Sequence, residues 1–331
     1  MHRVTTYSEA GVDIDEEAKL VSTLIKAIKN KRVGTGAPLD ISGHYAGLIE
    51  FGDYALVLCT DGVGSKVMIA DKVKKWDTIG IDCIAMNVND IICVGAEPLA
   101  FVDYLAIQKP DSKKAEQIGI GLNRGAELSN ISIIGGETAT LPDIIKGFDL
   151  AGTCLGYVKK DRIITGEKIK VGDVIIGLKS SGIHSNGLSL ARKVFESNGY
   201  SYNDKLPYSD QDITIGEVLL EPTKIYVKEI LKIINKFEIH GISHITGGGW
   251  KNIERLKGDV TFTLTNPLEP HEIFKVIQKV GKIKDEEMER TFNMGMGFAI
   301  VVDSKIAEKV VLAFKEDGVK ARVVGEVTCT H

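Results

Sequence analysis

A chain of 331 residues is long enough for two domains, each with its own core. Its 44% hydrophobic and 26% charged residues are the proportions of a soluble globular protein, and no apolar stretch approaches the ~20 residues of a membrane span. The net charge of −4 argues against a nucleic-acid binder, so a phosphate-rich ligand has to be met by local cations or by metal.

In chain order, Met1 to Tyr7 carries no signal-peptide core. Residues 16–30 predict a helix, with Ala18, Val21, Leu24, Ile25 and Ile28 at helical spacing. Residues 54–59 read as a buried strand that runs into Asp61-Gly62-Val63-Gly64-Ser65-Lys66. There a carboxylate sits at a strand end, Gly62 and Gly64 let the backbone approach a ligand, and Lys66 adds a point charge. That layout suits a metal-bound polyphosphate, with Asp61 on the cation. The ordinary alternative is a strand-exit turn followed by a solvated surface lysine. No Walker A pattern occurs.

A helix is predicted over 77–93, its apolar stripe formed by Ile81, Ile84, Ala85, Val88 and Ile92. Asp82 and Asn89 share a neighbouring stripe and Asp90 lies one step further round. Residues 101–106 predict a strand, 111–129 a helix, and 132–134 a strand leading into Gly135-Gly136-Glu137-Thr138. Glu137 is either a functional carboxylate past a buried strand or a solvated turn residue. Residues 150–158 predict a further strand. The polar stretch 159–162, with Gly166 and Gly172 beyond, reads as a linker between domains 1–162 and 163–331.

In the second half a strand at 174–178 ends in Ser180-Ser181-Gly182-Ile183-His184-Ser185-Asn186-Gly187, and a helix follows from Leu188 to Phe195. The hydroxyls of Ser180, Ser181 and Ser185, the Asn186 amide and the His184 imidazole are candidates to face one ligand at a helix N-terminus. Helix capping by Ser185 or Asn186 accounts for part of that set. A helix at 223–236 and a strand at 242–245 precede Thr246-Gly247-Gly248-Gly249, where backbone amides meet a phosphate or form a flexible turn. Strands at 298–302 and 321–324 flank a helix at 304–316. Alternating strands and helices with glycine turns predict an α+β (mixed α/β) protein of two domains. The five cysteines form no C-x-x-C pair, so reduced thiols in a cytoplasmic protein are expected.

Taken together these segments resemble the aminoimidazole ribonucleotide (AIR) synthetase family, the phosphoribosylformylglycinamidine cyclo-ligases. The resemblance runs in order through Tyr7 to Ile14, Asp61 to Lys66 (Ser65 standing where threonine is usual), Gly80 to Asp90 and Gly95 to Leu99. It continues through Gly135 to Ala139, Asp149 to Gly152, Ser180 to Gly187, Pro222 to Lys228, His244 to Gly249 and Arg290 to Gly295. The chain departs from the family at Thr140-Leu141-Pro142, where an acidic residue is missing, and at the shortened stretch Ile144 to Phe148.

The resemblance implies ATP-dependent cyclisation of formylglycinamidine ribonucleotide to AIR, with release of ADP and phosphate. It implies ATP and Mg²⁺ on Asp61, Gly62, Gly64, Lys66, Asn89, Asp90 and Glu137, with Asp61, Asp90 and Glu137 as metal ligands. It places the substrate on Ser180, Ser181, His184, Ser185, Asn186, Thr246, Gly247 and Gly248. His184 and Lys66 are the candidate catalytic residues, His184 as a proton carrier or as a hydrogen-bonding group. A homodimer built by the N-terminal sheet is implied too, without nucleic acid or membrane. The alternatives are another ATP-dependent enzyme of the same superfamily, or a non-catalytic nucleotide-binding subunit. Retention of Asp61, Asp90 and Glu137 argues against the second.

Overall fold

The structure, a computed structural model, describes residues 4–41, 43–256 and 258–330; Met1 to Arg3 of the N-terminal segment lie outside the described residues. Helix α1 (Ile14–Ala27) starts earlier than its apolar spacing suggests, because Asp13 caps it by accepting from the backbone N–H groups of Asp15 and Glu16. Its apolar stripe is not buried: Leu20, Val21, Leu24 and Ile25 are all exposed.

The first sheet has the order β1-β2-β3-β6-β4-β5. Its strands are β1 (Pro38–Leu39), β2 (Gly47–Phe51), β3 (Tyr54–Gly62), β4 (Glu97–Ile107), β5 (Ser132–Thr140) and β6 (Phe148–Lys159). Only β4 and β5 pair in parallel. Helices α2 (Lys66–Val73), α3 (Ile79–Cys93) and α4 (Ser112–Ser129) cover one face. The other face is open and carries the exposed side chains of Tyr54, Leu58, Val102 and Tyr104.

Helix α3 was expected to bury one stripe. Instead 13 of its 15 residues are buried, because the second domain covers the face turned away from the sheet. It crosses α4 at glycine: a Cβ on Gly80 would lie 2.1 Å from the Leu122 nitrogen, so only glycine allows this approach.

The second sheet, order β8-β10-β7-β11-β9, is antiparallel throughout. It comprises β7 (Asp173–Lys179), β8 (Gly241–His244), β9 (Val260–Leu264), β10 (Met296–Asp303) and β11 (Ala321–Cys329). Its helices are α5 (Leu188–Ser197), α6 (Ile215–Leu219), α7 (Val227–Lys236), α8 (Glu272–Gly281), α9 (Asp285–Thr291) and α10 (Ala307–Glu316). Strand β10 is apolar along its length because both its faces are covered. Phe298, Ile300 and Val302 enter the main core, while Ala299 and Val301 enter a second, smaller one beneath the 3₁₀ run Gly249–Arg255. The helix expected from residue 223 begins only at Val227, since Thr223 and Tyr226 are drawn onto α3 by backbone hydrogen bonds to Asp82 and Asn89. Strands β1, β2 and β9 and helices α2, α6, α8 and α9 have no counterpart in the sequence reading.

Candidate functional site between the two domains

The site grows from one face of α3. Asp82, Asn89 and Asp90 project from it towards the second domain, and each meets a partner there. Asp82 Oδ1 accepts from the Thr223 N–H at 2.7 Å, the Thr223 hydroxyl at 2.6 Å and Ser185 Oγ at 3.2 Å. Asn89 donates to the Lys224 carbonyl at 2.9 Å and accepts from the Tyr226 N–H at 3.1 Å. Asp90 Oδ1 accepts from His244 Nδ1 at 2.8 Å. Asn89 is therefore a buried strut between domains, with its amide nitrogen and its oxygen each bonded to the second domain and not turned to solvent where a nucleotide was expected.

Asp61 closes β3 on the helix-covered face, where burial and the negative charge of Asp90 beside it push its carboxyl up to about 6. Two carboxylates held together against their mutual repulsion make a place for a divalent cation. The third expected ligand, Glu137, does not join them within the protomer. Asp61 pairs with Gly152, Gly152 with Asp103, and Asp103 with Gly136. Glu137 pairs with Tyr104 and so points to the open face, three strand spacings or about 14 Å from β3. No group of three His, Cys, Asp or Glu side chains among the described residues makes a metal shell. Two carboxylates with the remaining positions left to phosphate and water is a donor set that suits Mg²⁺.

The turn after Asp61 is partly committed. The Gly62 N–H donates to Asp61 Oδ1 at 2.7 Å, and the Val63 N–H to the Leu150 carbonyl at 2.9 Å. Gly64 takes a left-handed φ of 70°, which glycine alone adopts at no cost, and turns the chain into α2. Lys66 departs from both readings made of it. It is not a surface lysine, and its ammonium is engaged inside the protein where a phosphate was expected: its side chain is 0% exposed and Nζ donates to Asp82 Oδ1 at 2.9 Å and to the Glu221 carbonyl at 2.6 Å.

In the loop after β7 the serine hydroxyls are used inside the protein. Ser180 bonds Asn293 Oδ1 at 3.2 Å, Ser181 the Pro222 carbonyl at 2.6 Å, and Ser185 reaches Asp82 and Thr223. These bonds shape the loop, and Ser181 also lines a small cleft with Glu221 and His271. His184 sits at φ 62°, a left-handed conformation that the loop's bonds to Asn293 hold in place. The Ser181 N–H donates to His184 Nε2 at 3.1 Å, so the ring's proton belongs on Nδ1, which is buried and unpartnered among the described residues. Burial, reinforced by the nearby His244 and Lys66, holds the His184 pKa well below its ordinary value. His184 is a neutral N–H donor. Asn186 Nδ2 is also buried without a partner among the described residues.

Asn186, Thr246 and Gly247 line one cleft. The Thr246 N–H is held by Asn252 Oδ1 at 2.7 Å, and Gly248 and Gly249 turn at φ 100° and 58°. A Cβ on Gly249 would fall 1.8 Å from the Glu289 carbonyl, so this glycine is a packing requirement. Sequence reasoning did not single out Asp82 or His244 as site residues. Their signal was a polar residue within an apolar run, Asp82 in Ile81-Asp82-Cys83-Ile84 and His244 in Ile242-Ser243-His244-Ile245.

Comparison with known proteins agrees with this architecture. Residues 43–158 match the AIR synthase related protein N-terminal domain and residues 170–331 the corresponding C-terminal domain. The chain is 59% identical over 304 residues to the phosphoribosylformylglycinamidine cyclo-ligase of Methanosarcina mazei, covering 92% of this chain and 90% of that protein. It is 55% identical over 327 residues to the Methanocaldococcus jannaschii protein of the same name, covering 98% and 92%. Among solved structures, the HypE–HypF complex superposes with a TM-score of 0.67 at 18% identity, covering 95% of this chain and 94% of that one. AaThiL complexed with AMPPCP and TMP gives 0.65 at 15% identity, covering 97% and 94%. Those two share the fold, whereas the sequence relatives share more than half of their residues with this chain along almost its whole length. The chain belongs to the phosphoribosylformylglycinamidine cyclo-ligase family, ATP-using enzymes of purine biosynthesis.

Proposed function

We propose that the γ-phosphoryl group of ATP is transferred to the formyl oxygen of formylglycinamidine ribonucleotide. The resulting iminophosphate is closed by the amidine nitrogen of the same molecule, which bonds to the formyl carbon as phosphate departs with its oxygen. The observation that carries this reading is the Asp61–Asp90 carboxylate pair at the junction of the two domains, where Asp90 bonds His244 of the second. Mg²⁺ held by Asp61 and Asp90 would neutralise the polyphosphate charge during transfer.

The protein's own groups position the reactants. The Gly62–Gly64 turn brings backbone to the nucleotide. His184 Nδ1–H and Asn186 Nδ2 donate to substrate oxygens, and the interdomain network keeps both loops at one separation. Ring closure is intramolecular, so a folded substrate conformer held away from water supplies most of what that step needs. His184 acts here as a hydrogen-bond donor, because burial keeps it uncharged.

The open apolar face of the first sheet, with Tyr54, Leu58, Leu99, Val102 and Tyr104 exposed, fits a second copy of the chain and supports a homodimer. Five free cysteines, four of them buried, suit the reducing cytoplasm. Among the described residues no helix is long and apolar enough to cross a membrane.

The test is direct. Purified protein given ATP, Mg²⁺ and formylglycinamidine ribonucleotide should release ADP only when the ribonucleotide is present, and should form the aminoimidazole. Absence of that product overturns the reading. A light-scattering mass equal to the monomer's 36.0 kDa refutes the dimer.

A further inference from the structure

A cleft of about 710 Å³ separates α1 from the loops that follow β7 and β8. Its lining contains Asn186, Thr246 and Gly247, and its charged groups are Arg255 and Lys26 against the single carboxylate of Glu17. The cleft is therefore net positive, in a chain whose total charge is −4. Arg255 is the last residue of the 3₁₀ run Gly249–Arg255. Its guanidinium carbon lies 4.9 Å over the ring of Tyr45. That ring cannot turn away, since Tyr45 is buried and its hydroxyl bonds Ser243 Oγ at 2.5 Å and the Asn252 carbonyl at 2.9 Å. The guanidinium is thus seated over a fixed platform, from which it can bind a planar or tetrahedral anion through two donors. Asn186 Nδ2, buried and unpartnered among the described residues, belongs to the same lining.

Two different phosphates have to be sorted in this enzyme. The polyphosphate of ATP arrives with a cation and suits the Asp61–Asp90 pair. The nucleotide substrate brings a bare phosphate dianion, which that pair repels and which needs a cation supplied by the protein. Arg255, on the lining of the cleft, meets that need.

We propose that Arg255 anchors the 5′-phosphate of the nucleotide substrate and is the residue by which the enzyme selects a nucleotide over its nucleoside. This rests on the cyclo-ligase reading above, and places the reacting end of the substrate towards His184 and its phosphate end at the cleft.

The experiment compares wild type with Arg255→Met in two assays. Steady-state cyclisation is measured with the ribonucleotide and with its dephosphorylated nucleoside. Each charge-assisted hydrogen bond to phosphate is worth roughly a 10- to 10²-fold effect, so Arg255→Met should lower kcat/KM for the ribonucleotide by about 10² or more and leave the nucleoside value unchanged. The KM for ATP should not move. Calorimetry with ribose 5-phosphate should show binding to wild type and none to the variant. Equal losses on ribonucleotide and nucleoside overturn the proposal, as does a rise in the KM for ATP alone or ribose 5-phosphate binding that survives the substitution. If wild type makes no product yet binds ribose 5-phosphate through Arg255, the cyclo-ligase reading fails and the phosphate anchor stands.

Discussion

The Lys66 ammonium lies 2.8 Å from Asp82 Oδ2, and neither side chain has any solvent exposure. Lys66 opens α2 after the Asp61 turn and Asp82 comes from α3; the further partners, Thr223 and Ser185 on Asp82 and the Glu221 carbonyl on Lys66, belong to the second domain. The pair is the fixed point where the nucleotide turn, the carboxylate-bearing helix and the His184 loop meet. Removing one member leaves the other as an uncompensated buried charge. Lys66→Met should cost about 3–5 kcal/mol of stability, read as a lowered denaturation midpoint. A variant with the wild-type midpoint and a raised KM for ATP would instead return Lys66 to the phosphates.

The sequence carried the fold class and the order of the site loops because those depend on local signals. Continuous apolar runs such as 298–302 and 174–178 mark strands covered on both faces, and the Asp61–Lys66 and Ser180–Gly187 segments mark strand-to-helix turns. What it did not carry depends on partners far along the chain. Lys66 is buried by residues about a hundred and fifty positions later, and its type alone reads as exposed. Glu137 follows two glycines, which read as a strand end, yet it lies inside β5 and its face is decided by its register against β4, which shifts between Phe101 and Val102. Arg255 had no local signal at all: its meaning comes from Tyr45 lying beneath it.

The carboxyl of Asp61, raised to about 6, gives the site a definite pH dependence. An unfolded aspartate titrates near ~3.9, so between about pH 4 and 6 the folded protein holds more protons than the unfolded chain. This site therefore stabilises the metal-free protein most at low pH, and that contribution is lost as pH rises through 6. A bound cation favours the carboxylate and competes with the proton. The rise in Tm on adding Mg²⁺ and a non-hydrolysable ATP analogue should accordingly be large at pH 7.5 and small at pH 5, with apparent affinity falling up to about tenfold per unit below pH 6. Asp61→Asn should abolish that slope. An unchanged slope in the variant would assign the proton to another group.

His184 is held neutral by burial, with Nε2 already accepting from Ser181. A group that stays uncharged across the assay range cannot set the acid limb of a pH–rate profile. His184→Gln keeps a hydrogen-bonding function and should raise the KM for the ribonucleotide while kcat stays within a few fold. A fall in kcat of about 10²–10⁴ at constant KM would make His184 a proton carrier.

Gly297 tests the placement of that histidine from its other side. It lies in β10 next to Phe298, and its carbonyl accepts from the Ile245 N–H at 2.9 Å, so its backbone is fixed by the strand beside it. A Cβ there would fall 2.2 Å from Tyr226 Oη and 2.9 Å from His184 Cε1. Tyr226 is wholly buried and its hydroxyl donates to the Lys179 carbonyl at 2.7 Å, so it yields little. His184, on a loop with a left-handed turn, is the group that gives way. Gly297→Ala should cost about 1–3 kcal/mol through overpacking and weaken ribonucleotide use by about 10², the penalty for a displacement of roughly 1 Å at a positioning residue. The KM for ATP should stay near the wild-type value. Gly119 in α4 is the control, because a Cβ there meets nothing within 4 Å and alanine favours the helix. Gly119→Ala should match or slightly exceed wild-type stability with unchanged kinetics. If Gly297→Ala loses stability as expected but keeps wild-type kcat/KM for the ribonucleotide, His184 is not the group that meets the substrate.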